Sequence, residues 1–175
     1  AVFLGDYYGR MSKRSGAWMS AFRGQRKLGN DVRPIIVNVM NFAKPPAGEK
    51  ALLTLDDVRT LFHEFGHALH GILSDVTYPS VAGTSVARDF VELPSQLYEH
   101  WLMVPDILRA HARHAQTGEV IPDDLIERLT AASKYDQGFA TVEYVASAMV
   151  DLDMHDGTTD GTTDLLAADP FQRLR

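Results

Sequence analysis

The chain contains no cysteine. Disulfide bonds and thiolate-held metal sites are therefore excluded, and the absence fits the cytoplasmic location that we predict. No apolar run reaches the roughly 18 residues that a membrane-spanning helix needs, so the sequence predicts no membrane partner. Acidic residues outnumber basic ones, 23 against 17, and no basic block occurs. This balance argues against a nucleic-acid partner.

What the chain does contain is a metal-binding pattern. Residues 63 to 67 read His-Glu-Phe-Gly-His within a strongly helical stretch. Two histidines four positions apart on a helix differ by about 40° in azimuth and about 6 Å in rise, so both rings project from one face. His63 and His67 can therefore hold one divalent metal, and Glu64 can act as general base on a metal-bound water. The alternative is a helix with two surface histidines beside an incidental glutamate.

The pattern sits inside one predicted helix. Apolar side chains recur at three- and four-residue spacing over residues 55–73, which predicts a buried helix there. Thr54 and Asp57 form an aspartate version of the capping box at its start. Gly66 in the interior costs about 1 kcal/mol relative to alanine. It is either a tolerated glycine or the place where another backbone approaches the helix.

A third histidine follows on the same helix. His70 shares a face with His63 but lies about 10.5 Å from it along the axis. An ion held between His63 and His67 is therefore hard to reach from His70. We expect His70 to pack behind the metal ligands or to hydrogen-bond to one of them.

The third metal ligand must come from elsewhere, and the glutamates that follow the motif are the candidates. Residues 88–104 form a second helical pattern with Glu92 in its first turns. Glu99 falls on the same face two turns later. One of the two glutamates can ligate the metal while the other orients His63 or His67 through a hydrogen bond. Spacing favours Glu92 as the ligand, and a solvated helix face is the alternative for either residue.

Further stretches extend the pattern: residues 13–19 (KRSGAWM), 45–53 (PPAGEKALL), 83–84 (GT), 88–96 (RDFVELPSQ) and 99–101 (EHW). Together with the motif they resemble the thimet oligopeptidase / peptidyl-dipeptidase family of zinc peptidases, over residues 3–155. The resemblance implies that His63, His67 and Glu92 bind one Zn²⁺ and that Glu64 is the catalytic base. It also implies hydrolysis of peptide bonds in oligopeptides, by Glu-assisted attack of zinc-bound water.

The resemblance is greater to the bacterial peptidyl-dipeptidases than to oligopeptidase A. We therefore expect short peptide substrates, release of C-terminal dipeptides, and a monomeric parent enzyme. Members of the family are several times longer than this chain, with a helical N-terminal part and a Tyr- and Gly-rich C-terminal part. We thus expect residues 1–175 to be a partial metallopeptidase catalytic domain that lacks both parts. The alternative function is a catalytically silent zinc-binding fragment or scaffold.

The predicted fold is α+β and mainly helical. It is a zincin-like catalytic core with the motif helix, a second ligand-bearing helix and a small antiparallel sheet. Strands are predicted over residues 1–9 and 34–42, and the second is either a peptide-binding edge strand or simple sheet core. Later helices are predicted from residue 105 to 116, from 122 to 133 and from 137 to 155. The repeat at 156–164 predicts a polar surface loop.

Overall fold

The structure is a computed structural model that describes residues 1–155. The chain divides into two units, residues 1–122 and 123–175. The predicted loop at residues 156–164 lies outside the described residues. The first unit contains β1 (Val2–Tyr8), β2 (Trp18–Arg23), β3 (Ile35–Phe42), α1 (Leu55–Ile72), a 3₁₀ turn (Pro79–Val81), α2 (Leu93–Leu102) and α3 (Pro105–His111). The second contains α4 (Asp123–Ala132) and α5 (Gln137–His155).

The three strands form one sheet in the order β1-β3-β2. The strands predicted over residues 1–9 and 34–42 are present as β1 and β3, whereas β2 was not predicted. The purely antiparallel sheet is wrong, because β3 pairs parallel with β1 and antiparallel with β2. The chain reverses direction twice between β1 and β3, so the first and third strands run the same way. Because β1 and β3 are neighbours in the sheet, they form a parallel pair.

Strand β3 lies in the middle of the sheet, and the edge-strand interpretation of residues 34–42 is therefore wrong. Its apolar side chains supply most of the core, with Ile36, Met40 and Phe42 all buried. Both of its edges are already paired, which leaves no free main-chain groups for a peptide. The edges of this sheet are β1 and β2.

Helix α1 begins and ends where the sequence predicts. The capping box is present, with the backbone N–H of Asp57 donating to Thr54 Oγ1 at 3.1 Å and Thr54 N donating to Asp57 Oδ2 at 3.0 Å. The close backbone approach at Gly66 is confirmed: a Cβ there would lie 2.6 Å from Pro94 O and 2.6 Å from Ser95 Cα. The missing side chain lets α2 pack directly on the backbone of α1.

Helix α2 begins at Leu93, five residues later than the pattern over residues 88–104 predicts. Two successive turns precede it, closed by hydrogen bonds from Phe90 N to Ala87 O and from Leu93 N to Phe90 O. Pro94 suits the first turn of a helix, because its fixed φ is helical and its missing N–H would have no intrahelical partner. Glu92 is consequently the N-cap residue of α2 and not a residue within the helix.

Helix α3 is also shorter than predicted. It ends at His111 rather than at 116, because the chain turns back and Arg113 pairs with Val120 in an isolated antiparallel bridge. Gly118, with φ of 75°, provides the left-handed turn within that excursion.

The second unit contains the two remaining predicted helices, α4 and α5. In α4 only Ile126 is buried. In α5 none of the 19 residues is buried, and five large apolar side chains at helical spacing are exposed: Phe139, Val142, Val145, Met149 and Leu152. Across residues 1–155, no helix combines the length and the hydropathy that crossing a membrane requires.

Candidate metal centre

Three side chains that the sequence marks as metal ligands converge between α1 and α2. His63 and His67 lie one turn apart on α1, with ring centroids 4.9 Å apart, and Glu92 stands just before α2. Glu92 Oε2 lies 3.3 Å from His63 Nε2 and 3.1 Å from His67 Nε2. One possible ligand atom from each residue lies within 4.8 Å of the other two.

These atoms have the chemistry and the spacing of a zinc site. Two imidazole nitrogens and one carboxylate oxygen form a donor set found in catalytic zinc centres, where the fourth position stays open. Tetrahedral bonds of about 2.0–2.2 Å would separate neighbouring ligand atoms by about 3.3–3.6 Å. The nitrogen–oxygen distance from His63, 3.3 Å, reaches that range, and the distance from His67, 3.1 Å, is slightly shorter. The residues present therefore fit a zinc ion.

Glu99 contacts the other ring nitrogen of His63, at 2.7 Å between Glu99 Oε1 and His63 Nδ1. A carboxylate can only accept, so this hydrogen bond places the ring proton on Nδ1 and leaves the Nε2 lone pair facing Glu92. The two glutamates thus reach opposite nitrogens of one imidazole. The spacing predicts that one glutamate ligates a metal while the other orients a histidine, and these contacts are consistent with Glu99 as the orienting one.

Glu92 is held in its charged form by its neighbours. Burial acts to raise the pKa of Glu92, but the hydrogen bond from Ser95 Oγ to Glu92 Oε2, 2.8 Å long, and the nearby His67 and His63 outweigh it. The net effect holds the pKa of Glu92 below its ordinary value. Ser95 itself is fully buried under Gly66, so the carboxylate is anchored where the two helices touch.

Glu64 and His67 are buried, and burial shifts both toward their neutral forms. Burial raises the pKa of Glu64, and the nearby Glu92 raises it further. The nearby His63 and a hydrogen bond from the Met19 backbone act to lower it, but the net pKa stays above the ordinary value. Glu64 Oε2 has no hydrogen-bond partner in the described part of the chain. Burial likewise lowers the pKa of His67, which favours the neutral ring, the form whose lone pair can bind a metal.

One cavity of 390 Å³ is lined by all four candidate site residues, His63, Glu64, His67 and Glu92. Its remaining walls come from the start of β2 and from the loops before α2: Ala17, Trp18, Met19, Thr84 and Val91. Of these five residues the sequence predicted a role only for Thr84, at the end of a turn-rich loop over residues 78–84 expected to touch substrate. Residues 17–19 lay inside a stretch that carried the family resemblance, but the strand order that brings them beside α1 depends on long-range pairing.

Two hydrogen-bonded anchors fix the loop that leads into β2. Lys13, whose ammonium side chain is buried, donates to the carbonyl of Asp6 at 2.8 Å. Asn41 Nδ2 donates to the carbonyls of Arg14 and Gly16, both at 2.8 Å. These contacts tie the loop to β1 and β3 and so set where β2 enters the cavity wall.

A second network fixes the opposite wall. Gln25 is buried, and its Oε1 accepts from Val76 N at 2.9 Å and from Ser74 Oγ at 3.2 Å. Ser74 Oγ in turn accepts from Gly83 N at 3.0 Å. Thr84, the next residue, is the one that lines the cavity. A buried glutamine after β2 therefore holds the loop that carries Thr84.

His70 lies away from the cluster. Its ring packs against Phe90, with centroids 6.0 Å apart, and its buried Nδ1 has no hydrogen-bond partner within residues 1–155. It lines a separate, mostly apolar cavity of 520 Å³, whose lining includes none of His63, Glu64, His67 and Glu92. A supporting role for His70 behind the metal ligands stays a prediction.

The sequence of this chain is similar to those of known proteins. The profile of Peptidase family M3 matches residues 1–170. A dipeptidyl carboxypeptidase from Salmonella typhimurium is 47% identical over 155 residues, which cover 89% of this chain and 23% of that protein. Oligopeptidase A from Escherichia coli is 38% identical, covering 87% and 23%. A thimet-like oligopeptidase from Dictyostelium discoideum is 35% identical, covering 98% and 26%. The chain thus spans about a quarter of the length of these relatives.

Proposed function

Because this chain belongs to peptidase family M3, we propose that it carries the zinc centre of a metallopeptidase that hydrolyses peptide bonds in oligopeptides. In this proposal His63, His67 and Glu92 bind one zinc ion and Glu64 is the general base. The observation that carries the proposal is that the buried Glu64, whose Oε2 has no hydrogen-bond partner among the described residues, lines the same cavity as three converging ligand residues. A helix-borne histidine pair, a sheet edge beside it and a glutamate at the N-cap of a second helix also support a zincin-like arrangement.

Each residue has a distinct task in the reaction. Zinc, when bound, would polarise the scissile carbonyl and lower the pKa of water at the site. Glu64 takes a proton from the attacking water and delivers it to the leaving amine. Its raised pKa suits both steps, because a base that is too acidic would hold the proton too weakly. Glu99 keeps the His63 ring oriented through the 2.7 Å hydrogen bond.

The peptide binds along β2. This strand is an edge of the sheet, and its first residues line the cavity beside Glu64. An extended peptide can add to such an edge through main-chain hydrogen bonds. The scissile bond would then lie across the cavity mouth, within reach of Glu64. This replaces the edge-strand role first considered for residues 34–42.

The substrate mode that we favour is release of C-terminal dipeptides. The support is the higher identity to a dipeptidyl carboxypeptidase, 47%, than to an oligopeptidase A, 38%. The competing function is a zinc-binding fragment or scaffold without turnover. Its support is the openness of the site, since the Glu92 side chain is 50% exposed. Water entering an open site screens the charge that must be stabilised during hydrolysis.

A peptide-cleavage assay on the zinc-loaded chain separates these functions. Matched peptides with a free or an amidated C-terminus are incubated with wild type, Glu64→Gln and, as a control, Glu49→Gln in an exposed loop. We expect dipeptides from the free-ended peptide, a loss of roughly 10²–10⁴-fold in Glu64→Gln, and no change in the control. Equal turnover by Glu64→Gln would remove Glu64 as the base. Zinc binding without any cleavage would favour the scaffold.

A further inference from the structure

Strand β3 carries one side chain that its position does not explain. Asn38 lies in the centre of the sheet and is completely buried, yet neither its Nδ2 nor its Oδ1 has a hydrogen-bond partner among the described residues. Leaving a buried amide unpaired costs about 1–3 kcal/mol. An apolar residue would fill a central strand at lower cost, so the amide needs another reason to be there.

The amide faces α1. Ile36, two residues earlier on the same strand, reaches α1, with its Cδ1 2.7 Å from where a Cβ on Gly71 would stand. Side chains two apart on a strand share a face, so Asn38 points toward α1 as well. Its cross-strand partner is Met19, whose backbone hydrogen-bonds to Glu64. The row of the sheet that contains Asn38 therefore lies beneath the part of α1 that carries the motif.

A second buried, unpartnered atom lies on this part of α1. His67 Nδ1 has no hydrogen-bond partner in the described residues, although the ring is buried. His67 Nε2 faces Glu92, at 3.1 Å from Oε2. For Nε2 to ligate a metal, the ring proton must sit on Nδ1, and that proton needs an acceptor. His63 obtains such an acceptor from Glu99, whereas no carboxylate within residues 1–155 bonds to His67 Nδ1.

We propose that Asn38 is the positioning residue for His67, with its Oδ1 accepting the Nδ1 proton through a buried water. A buried site between two polar groups is where ordered water is found in proteins. Asn38 does for His67 what Glu99 does for His63: it fixes the tautomer and the ring orientation. A neutral amide serves at this depth because a second buried carboxylate would carry a large desolvation cost. The inference rests on the proposed function, since it assigns His67 as a ligand.

The test measures zinc affinity, which does not require turnover. Asn38→Leu removes the amide and keeps its branched shape, Asn38→Ser keeps a small polar group, and Met40→Leu is the control on the same strand and face. We expect zinc affinity to fall roughly 10- to 100-fold in Asn38→Leu, less in Asn38→Ser, and not at all in the control. The unfolding temperature of metal-free Asn38→Leu should equal or exceed that of wild type, because an unpaired amide is gone. A purely structural role would instead lower both quantities together.

A spectroscopic measurement on wild type tests the inference even if Asn38→Leu fails to fold. In ¹⁵N NMR spectra of the zinc-loaded chain, we expect the His67 Nδ1–H signal to be protected from exchange with solvent, and to lose protection in Asn38→Ser. An unprotected Nδ1–H in wild type, or an Asn38→Leu affinity within about twofold of the Met40→Leu control, overturns the inference alone. If wild type binds no zinc, the proposed metal site itself fails.

Discussion

The two units of this chain treat apolar side chains in opposite ways. In residues 1–122 the central strand is buried, with Met40 at 0% exposure, and helix α1 packs its small residues against the sheet and α2. In the described part of the second unit, α5 has no buried residue and Met149 is 62% exposed. All candidate metal ligands belong to the packed unit. Catalytic geometry has to be held within fractions of an ångström, and only close packing on rigid elements provides that.

The contrast between the two units is tested most directly by truncating one methionine side chain to alanine in each unit. Met40→Ala should cost about 2–5 kcal/mol of unfolding free energy, because it leaves a cavity in a closed core. Met149→Ala should change it by no more than about 0.5 kcal/mol, since the side chain is already in water. Urea unfolding followed by circular dichroism measures both. Equal effects would mean that Met149 is packed in solution and that the contrast between units is wrong.

Zinc should stabilise the first unit selectively. A ligand that binds only the folded state at 100 times its dissociation constant adds about 2.7 kcal/mol. We expect hydrogen exchange of backbone amides in α1 and in the first turn of α2 to slow when zinc is added, and to return with a chelator. Amides of α5 serve as the internal control and should not change. Uniform slowing across α1 and α5 would contradict a site confined to the first unit.

The same Gly→Ala substitution should change stability in opposite directions at two helical glycines, one in each unit. Alanine is favoured over glycine inside a helix by about 1 kcal/mol. At Gly138 a new Cβ meets nothing within 4 Å, so Gly138→Ala should be neutral or stabilising. At Gly66 the Cβ would meet the α2 backbone at 2.6 Å, so Gly66→Ala should cost about 1–3 kcal/mol and weaken zinc binding. Thermal unfolding with and without zinc tests this, and a stabilising Gly66→Ala would show that α2 does not pack there.

The hydrogen bonds of Gln25 to the loop before Thr84 predict that removing them weakens peptide binding and leaves zinc binding unchanged. Gln25→Leu removes the acceptor for Ser74 and Val76, so the loop before Thr84 should loosen. We expect KM for peptide to rise severalfold while zinc affinity stays unchanged, because the metal ligands sit on α1 and before α2. Gln96→Leu, at an exposed position on α2, is the matched control. Loss of zinc in Gln25→Leu would show that the network supports the whole site.

The smallest effect is electrostatic. The pKa of Glu64 is raised by burial, so its ionised form opposes folding at pH values above that raised pKa. Glu64→Gln should therefore stabilise the metal-free chain at neutral pH. The gain should shrink as the pH falls from the raised pKa toward the unfolded value of about 4.3, and it should vanish below that value, where wild-type Glu64 is protonated in both states. Stability curves for the two proteins from pH 7 to 4 test the sign, and a gap that widens in acid would contradict it.

Local signals in the sequence predicted much of this fold. The capping box at Thr54 and the apolar spacing after it located α1, and the interior Gly66 correctly indicated a backbone contact. The start of α2 was predicted five residues too early. The apolar spacing from residue 88 resembles that of a helix, but the first residues of that stretch form two successive turns. The apolar Leu97 and Trp101 of α2 are exposed, because hydropathy alone does not say which face of a helix has a neighbour.

Long-range arrangement could not be obtained in this way. Strand β2 is a short mixed segment, and nothing local reveals that β3 inserts between β1 and β2. The cavity wall at Trp18 and Met19 follows from that strand order, so it was missed. The converging histidines and Glu92 were predictable because helical geometry and the family resemblance pointed to the same residues. Their roles as ligands, and that of Glu64 as base, stay proposals.

X-ray absorption on the zinc-loaded chain tests the central claim most directly, that His63, His67 and Glu92 form one metal centre. The account predicts two imidazole nitrogens and carboxylate or water oxygens at about 2.0–2.2 Å, with the multiple-scattering pattern of histidine. His67→Ala should remove one imidazole from that pattern, and His111→Ala, on the exposed α3, should remove none. A spectrum with no imidazole scattering, or one that His67→Ala leaves unchanged, would contradict the account.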